Sequence, residues 1–96
     1  MKEINVVFDG ILDDVDIITV PDAVEAEIDE IGQEFLDWLP TANESEYWMV
    51  LDGKKLIVAE TEGFVKWLNN NHCEIEKAHV VERNTNYNPE NKSVEF

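Results

Sequence analysis

Three side chains suited to metal binding or nucleophilic chemistry fall late in the sequence: His72, Cys73 and His79. Imidazole nitrogen and thiolate sulfur are the usual zinc ligands, but structural zinc sites draw them as spaced pairs from two segments. His72 and Cys73 are adjacent, so on a strand they point to opposite faces, and the chain has no second cysteine. A thiol next to a histidine also needs a third group to orient the base, and none is identifiable. A second group, Asp9, Asp13, Asp14 and Asp16, offers the carboxylate oxygens that Ca²⁺ and Mg²⁺ take. It lacks the central glycine and closing glutamate of a calcium loop, so a solvated turn is expected. There is no glycine-rich phosphate loop, nucleophile elbow or HExxH pattern. Carboxylate pairs can perform acid–base work, but with 22 Asp and Glu no pair stands out. These residues predict neither an enzyme nor a bound cofactor or metal.

The carboxylates are informative in another way. Residues 22–39 read DAVEAEIDEIGQEFLDWL, without a lysine or arginine. Val24, Ile28, Ile31, Phe35, Trp38 and Leu39 recur at helical spacing and fall within an arc of ~100°, the width of a core-facing stripe. Glu27, Glu30, Glu34 and Asp37 form a second line beside it. On one helix they would span ~15 Å, a carboxylate every ~5 Å, against one phosphate per ~3.4 Å of a nucleic-acid strand. The pattern costs stability, since like charges three or four apart destabilise a helix by ~0.2–0.5 kcal/mol per pair. The pairs 27/30, 30/34, 34/37 and 25/29 together cost about 1–2 kcal/mol. Only acids at the helix start recover some of this from the helix dipole. A helix selected for stability alone would not look like this. Glu25, Asp29 and the turn acids Asp13, Asp14 and Asp16 are expected to thicken the line. Trp38, at the stripe's edge, is placed to anchor an Arg-rich surface or to join the core.

The elements that must position these groups are legible along the chain. INVVFD at 4–9 alternates and is β-branched, which predicts a strand, and DIITV at 16–20 predicts a second. Pro21 closes that strand, and Asp22 with Glu25 reads as a capping box opening the helix that Pro40 stops. In EYWMVLDGKKLIVAE, Asp52-Gly53 between two β-rich runs predicts a two-residue type I′ hairpin with Leu51 facing Lys54, Met49 facing Leu56 and Trp48 facing Ile57. TEGFVKWLNNN predicts a short helix capped by Thr61. KAHVVER reads as a strand, NTNYNPEN as a turn and KSVEF as a final short strand. The expected fold is α+β, a mostly antiparallel sheet with two helices on one face. If 16–20 is not a strand, the order becomes β-α-β-β-α-β, the ferredoxin-like arrangement. Ninety-six residues predict one domain spanning 1–96.

Charge then narrows the function. Residues 3–53 hold fifteen acids and no base, whereas residues 54–96 hold seven acids against six bases. With Lys2, the sum −15 + 1 − 1 gives the net −15, so the whole excess sits in the first half. Such a chain repels phosphate, which excludes direct nucleic-acid binding. No apolar run approaches the ~18 residues of a membrane span, MKEINVVFDG lacks the charged start and apolar middle expected of a signal peptide, and one cysteine forms no internal disulfide. A cytoplasmic, non-membrane protein is expected. A solvated face kept soluble by charge competes as an explanation, but it predicts acids interspersed with lysines. Exclusion of cations over fifty residues fits a negative surface meant to meet a positive cleft, and basic clefts are most often nucleic-acid sites.

In size, compact α+β pattern and acidity, the chain resembles the small phage-encoded inhibitors that mimic DNA, anti-CRISPR proteins among them. It is similar on the same grounds to acidic immunity proteins that neutralise nuclease toxins. The resemblance implies a basic nucleic-acid-handling protein as partner and Glu27, Glu30, Glu34 and Asp37 as contact residues. A second expectation comes from the hairpin, whose two faces are both apolar. A central hairpin covered by the helices is one reading of it. The other is an accessory protein that associates through hairpin 46–60, as a homodimer or with a partner, with Trp48, Val50 and Ile57 at the interface.

Overall fold

A computed structural model describes residues 1–44 and 47–96; Glu46, the first residue of the expected hairpin segment, lies outside them. The fold is α+β. Strands β1 (Lys2–Val7), β2 (Val15–Val20), β5 (His79–Thr85) and β6 (Lys92–Glu95) form one sheet in the order β5-β2-β1-β6. The β1–β2 and β2–β5 pairings are antiparallel, and β6 runs parallel to β1. Helices α1 (Asp22–Ala26), α2 (Ile28–Trp38) and α3 (Thr61–Asn71) complete the layer above it, with a short 3-10 turn at Leu39–Thr41. Because Val15–Val20 is a strand, the ferredoxin-like order does not arise.

Ile4, Val6, Ile18 and Val20 from the sheet meet Ile28, Ile31 and Phe35 of α2 and Phe64, Trp67 and Leu68 of α3 in one core, so α2 and α3 share a face. Phe35 lies at its centre, with ring centroids 5.1 Å from Phe64, 5.4 Å from Trp67 and 5.3 Å from Phe96. The α2 helix lies over β6 and comes very close: a Cβ on Gly32 would sit 2.5 Å from Val94 Cγ2. Helix α3 lies toward β5.

The opposite face of the sheet is covered by the chain itself. Strands β5 and β6 occupy opposite edges, and residues 86–91 cross between them. Asn5, fully buried on β1, holds this crossing strap. Its carbonyl oxygen accepts the Asn88 N–H at 3.0 Å and its amide donates to the Asn88 carbonyl at 2.9 Å. A second bond, from Tyr87 N–H to the Leu12 carbonyl at 2.8 Å, ties the strap to the β1–β2 turn. The strap satisfies a buried polar side chain and seals the far face in one step.

Three local expectations need correction. The helix expected from 22 to 39 is two helices, because Glu27 (φ −117°, ψ 25°) leaves the helical region. Pro21 and Glu60, not Asp22 and Thr61, are the N-cap residues of α1 and α3, and neither helix has a side-chain cap. The hairpin, β3 (Trp48–Leu51) and β4 (Lys54–Ile57), is not central. It has the expected register and positive φ at Asp52 and Gly53, as the type I′ turn requires, but it forms a separate two-stranded sheet. The reason lies in the main sheet, where β6 pairs with β1 and β5 with β2, leaving no central place for it.

Candidate functional site

Two surfaces come forward: the outer side of α2 and the hairpin. On α2 the core residues Ile28, Ile31, Gly32 and Phe35 fix the rotation of the helix. At 100° per residue, Glu30, Gln33 and Asp37 then point straight out from the sheet, Glu34 leans toward α3, and Asp29 leans toward β6. All five are exposed. Glu30 and Asp37 stand seven residues apart, ~10 Å along the helix. Glu27, also exposed, lies at the junction and not on the α2 helix itself. The break therefore interrupts the single line of carboxylates that one continuous helix would have carried.

The second half of the chain supplies some of the partners missing from the first. His72, at the C-cap of α3, approaches Glu34 with Nε2–Oε2 at 3.1 Å. Lys92 reaches Glu25, 3.7 Å from its carboxylate and 3.3 Å from its carbonyl oxygen. Asp37 accepts a hydrogen bond from Gln33 at 2.9 Å. Among the described residues Glu27, Asp29 and Glu30 form no ion pair. The surviving uncompensated line is thus shorter than the sequence spacing predicts, running from Glu27 and Glu30 to Asp37.

The turn acids do not extend it. Asp16 accepts the Thr61 hydroxyl through one oxygen and the Asn84 N–H, at 3.2 Å, through the other. Asp14 accepts from the Asn84 side chain at 2.9 Å. Asn84 sits at φ 52° in a stretch where β5 is bulged against β2, a left-handed conformation that asparagine tolerates. Asp14 and Asp16 therefore pin the bulge and the start of α3 toward the β5 edge, the sheet edge opposite β6. Asp13 is exposed in the turn. Trp38 is half-buried, with ring centroids 4.9 Å from Tyr47 and 6.2 Å from Phe35, so it belongs to the aromatic cluster and closes the end of the acidic line with its remaining surface.

The hairpin is the least covered apolar part of the molecule. Tyr47, 2% exposed and edge-on to Trp38, anchors its base. Beyond it β3 and β4 pack chiefly on each other. Met49, Val50, Leu51, Leu56 and Ile57 remain 41–61% exposed. Trp48 is half-buried, with the Lys55 ammonium 4.7 Å above its ring, a cation–π contact.

His72, Cys73 and His79 are not brought together: His72 faces Glu34, and His79 bonds Thr19 at the sheet edge. Cys73 is buried, and burial pushes its thiol above the ordinary range. Among the described residues no group of three or more His, Cys, Asp or Glu is arranged to hold a metal ion, and no helix is long and apolar enough to cross a membrane. The structural roles of Asn5, Asn84 and Asn69, whose side chain bonds both backbone groups of Ala78, were not apparent from spacing. The only signals were a lone Asn in a β-branched strand for Asn5, the asparagine density of ERNTNYNPEN for Asn84, and the run Asn69-Asn70-Asn71 for Asn69. Comparison with known protein families, with curated proteins and with solved structures finds no match to this chain.

Proposed function

We propose that the protein is a small acidic inhibitory or regulatory binding protein, acting in the cytoplasm, that presents the outer side of α2 to the basic cleft of a nucleic-acid-handling partner. It would work as the DNA-mimicking inhibitors do, anti-CRISPR proteins included. The observation that carries this reading is the row of Glu27, at the N-cap of α2, and Glu30 and Asp37, exposed along a helix whose rotation is fixed by its core contacts, with Asp29 and Glu34 on its flanks. A rigid element that carries unneutralised charge keeps its full field for a partner, speeds encounter and selects for a positive surface. Glu34 contributes less, because His72 already stands against it.

The test is capture from a nuclease-treated bacterial extract with wild type and with Glu27→Lys/Glu30→Lys, at low and high salt. The variant changes two exposed side chains outside the core, so its circular dichroism should match wild type. Retention of a basic nucleic-acid enzyme by wild type alone, weakening as salt is raised, is the expected result. If the charge-reversed protein retains the same partners, or wild type retains none, the acidic row is a solvated surface and the proposal fails.

A further inference from the structure

We propose that two copies of this chain pair edge to edge through β3, joining their hairpins into one four-stranded antiparallel sheet. The inference is independent of the acidic face.

The backbone ladder determines which groups are available. Val58 N–H donates to the Tyr47 carbonyl at 3.0 Å, which makes Tyr47 and Val58 a hydrogen-bonded pair. Antiparallel strands alternate, so Met49 and Leu51 also bond inward to β4, while Trp48 and Val50 turn their N–H and C=O groups to the outer edge. Among the described residues no strand pairs with either outer edge of the hairpin, but the two edges differ in protection. The β4 strand carries Lys54 and Lys55, and lysine is a common guard against edge pairing. Strand β3 reads Trp-Met-Val-Leu, with no charge at all.

Chemistry and charge say that a second copy fits. Edge pairing sets Trp48, Met49 and Val50 beside their counterparts in the second strand, and Met49 and Val50, 47% and 61% exposed, are free to meet them. A chain of net charge −15 repels its own copies over most of its surface. Residues 48–57 hold two lysines and one aspartate, a net of +1, so two copies can meet here without facing carboxylates.

The register follows from the outward groups. A two-fold axis at Met49 sets Trp48 of one copy against Val50 of the other, outward residue to outward residue. An axis at Val50 would instead set Trp48 against Asp52 in the turn, where the strand has ended. The axis at Met49 places the two Met49 residues in a non-hydrogen-bonded pair, with Cα atoms ~4.5 Å apart, a separation that a disulfide can span.

The experiment measures solution mass by sedimentation for wild type and Val50→Lys, and oxidative cross-linking of Met49→Cys against Ile75→Cys. Val50 is 61% exposed, so lysine there leaves the core intact, and Ile75, 92% exposed in the loop after α3, serves as a freely accessible control. The native Cys73 is buried and does not compete. Wild type should show twice the 11.1 kDa chain mass between ~10 μM and ~1 mM. Val50→Lys should raise the dimer dissociation constant about tenfold or more, and Met49→Cys should cross-link about tenfold faster than Ile75→Cys. Salt should strengthen the pairing by screening mutual repulsion, opposite to its effect on a contact with a basic partner. A wild type that keeps the one-chain mass at ~1 mM overturns the proposal. So does a Val50→Lys variant that associates like wild type, or a Met49→Cys variant that cross-links no faster than the control.

Discussion

The contact that sets the rotation of α2, and with it the direction of every carboxylate on that helix, is the approach of Gly32 to Val94. Replacing Gly32 with alanine tests it. In a helix interior this change normally stabilises by ~1 kcal/mol through propensity alone. Here the added methyl would lie 2.5 Å from Val94 Cγ2, where carbon atoms prefer ~3.5–4.0 Å. Val94 is 5% exposed, belongs to a strand paired with β1 at Val6, and has the stiff χ1 of a β-branched residue, so it cannot swing aside freely. Overpacking of this kind costs ~1–3 kcal/mol, which leaves a net loss of up to ~2 kcal/mol after the propensity gain. With a urea slope of ~1–3 kcal/mol per molar, the midpoint should fall by several tenths of a molar to about 1 M. Val94→Ala removes the obstructing methyl and leaves the valine Cβ, 3.8 Å from the new atom, in ordinary contact. In that background Gly32→Ala should become stabilising, so the double-mutant cycle should show a coupling of ~1–3 kcal/mol. Urea unfolding followed by tryptophan fluorescence reads all four proteins, since Trp67 and Trp38 lie in the same core. If Gly32→Ala stabilises the wild-type background, or the cycle shows no coupling, α2 does not sit on β6 as described and the orientation of its acidic side must be reconsidered.

Two other substitutions test how the molecule is held together. Asn5→Val leaves both backbone groups of Asn88 without their partner under the strap; unfolding should cost ~2–4 kcal/mol less, and the Asn88 amide should lose its protection from hydrogen exchange. Asp16→Ala, which removes the acceptor shared by Thr61 and Asn84, should destabilise by ~1–3 kcal/mol. Asp13→Ala, three residues away and exposed, should stay within ~0.5 kcal/mol of wild type. Equal effects at Asp13 and Asp16 in a denaturation series would contradict the structural role given to Asp16.

Signals carried by neighbours in the chain were legible in advance. Helix α3 runs from Thr61 to Asn71 as its stretch of sequence predicts. The hairpin register and its turn followed from Asp52-Gly53, because two positive φ angles at those residues admit only one two-residue loop geometry. The core stripe of α2 was readable because burial at 3.6-residue spacing is a property of the helix itself. The break at Glu27 was not readable, since no proline or glycine marks it. Nor was the parallel place of β6, which depends on a strap crossing a whole sheet face.

The acidic row shows the same division residue by residue. Its existence is a matter of composition: fifty residues without a base make the first half negative in any fold. Which acids remain uncompensated is a matter of distance, and distance is settled only when the second half folds against the first. His72 reaches Glu34 and Lys92 reaches Glu25 across separations of 38 and 67 residues. Asp14 and Asp16, close to the row in sequence, are drawn to the opposite sheet edge by the bulge at Asn84. The hairpin gives the converse case. Its sequence determined that it would be apolar on both faces, but the sheet's choice of β6 and β5 as neighbours decided that those faces would meet solvent. Local sequence sets what each segment can bury, and the competition among strands for a finite number of sheet edges sets what each one does bury.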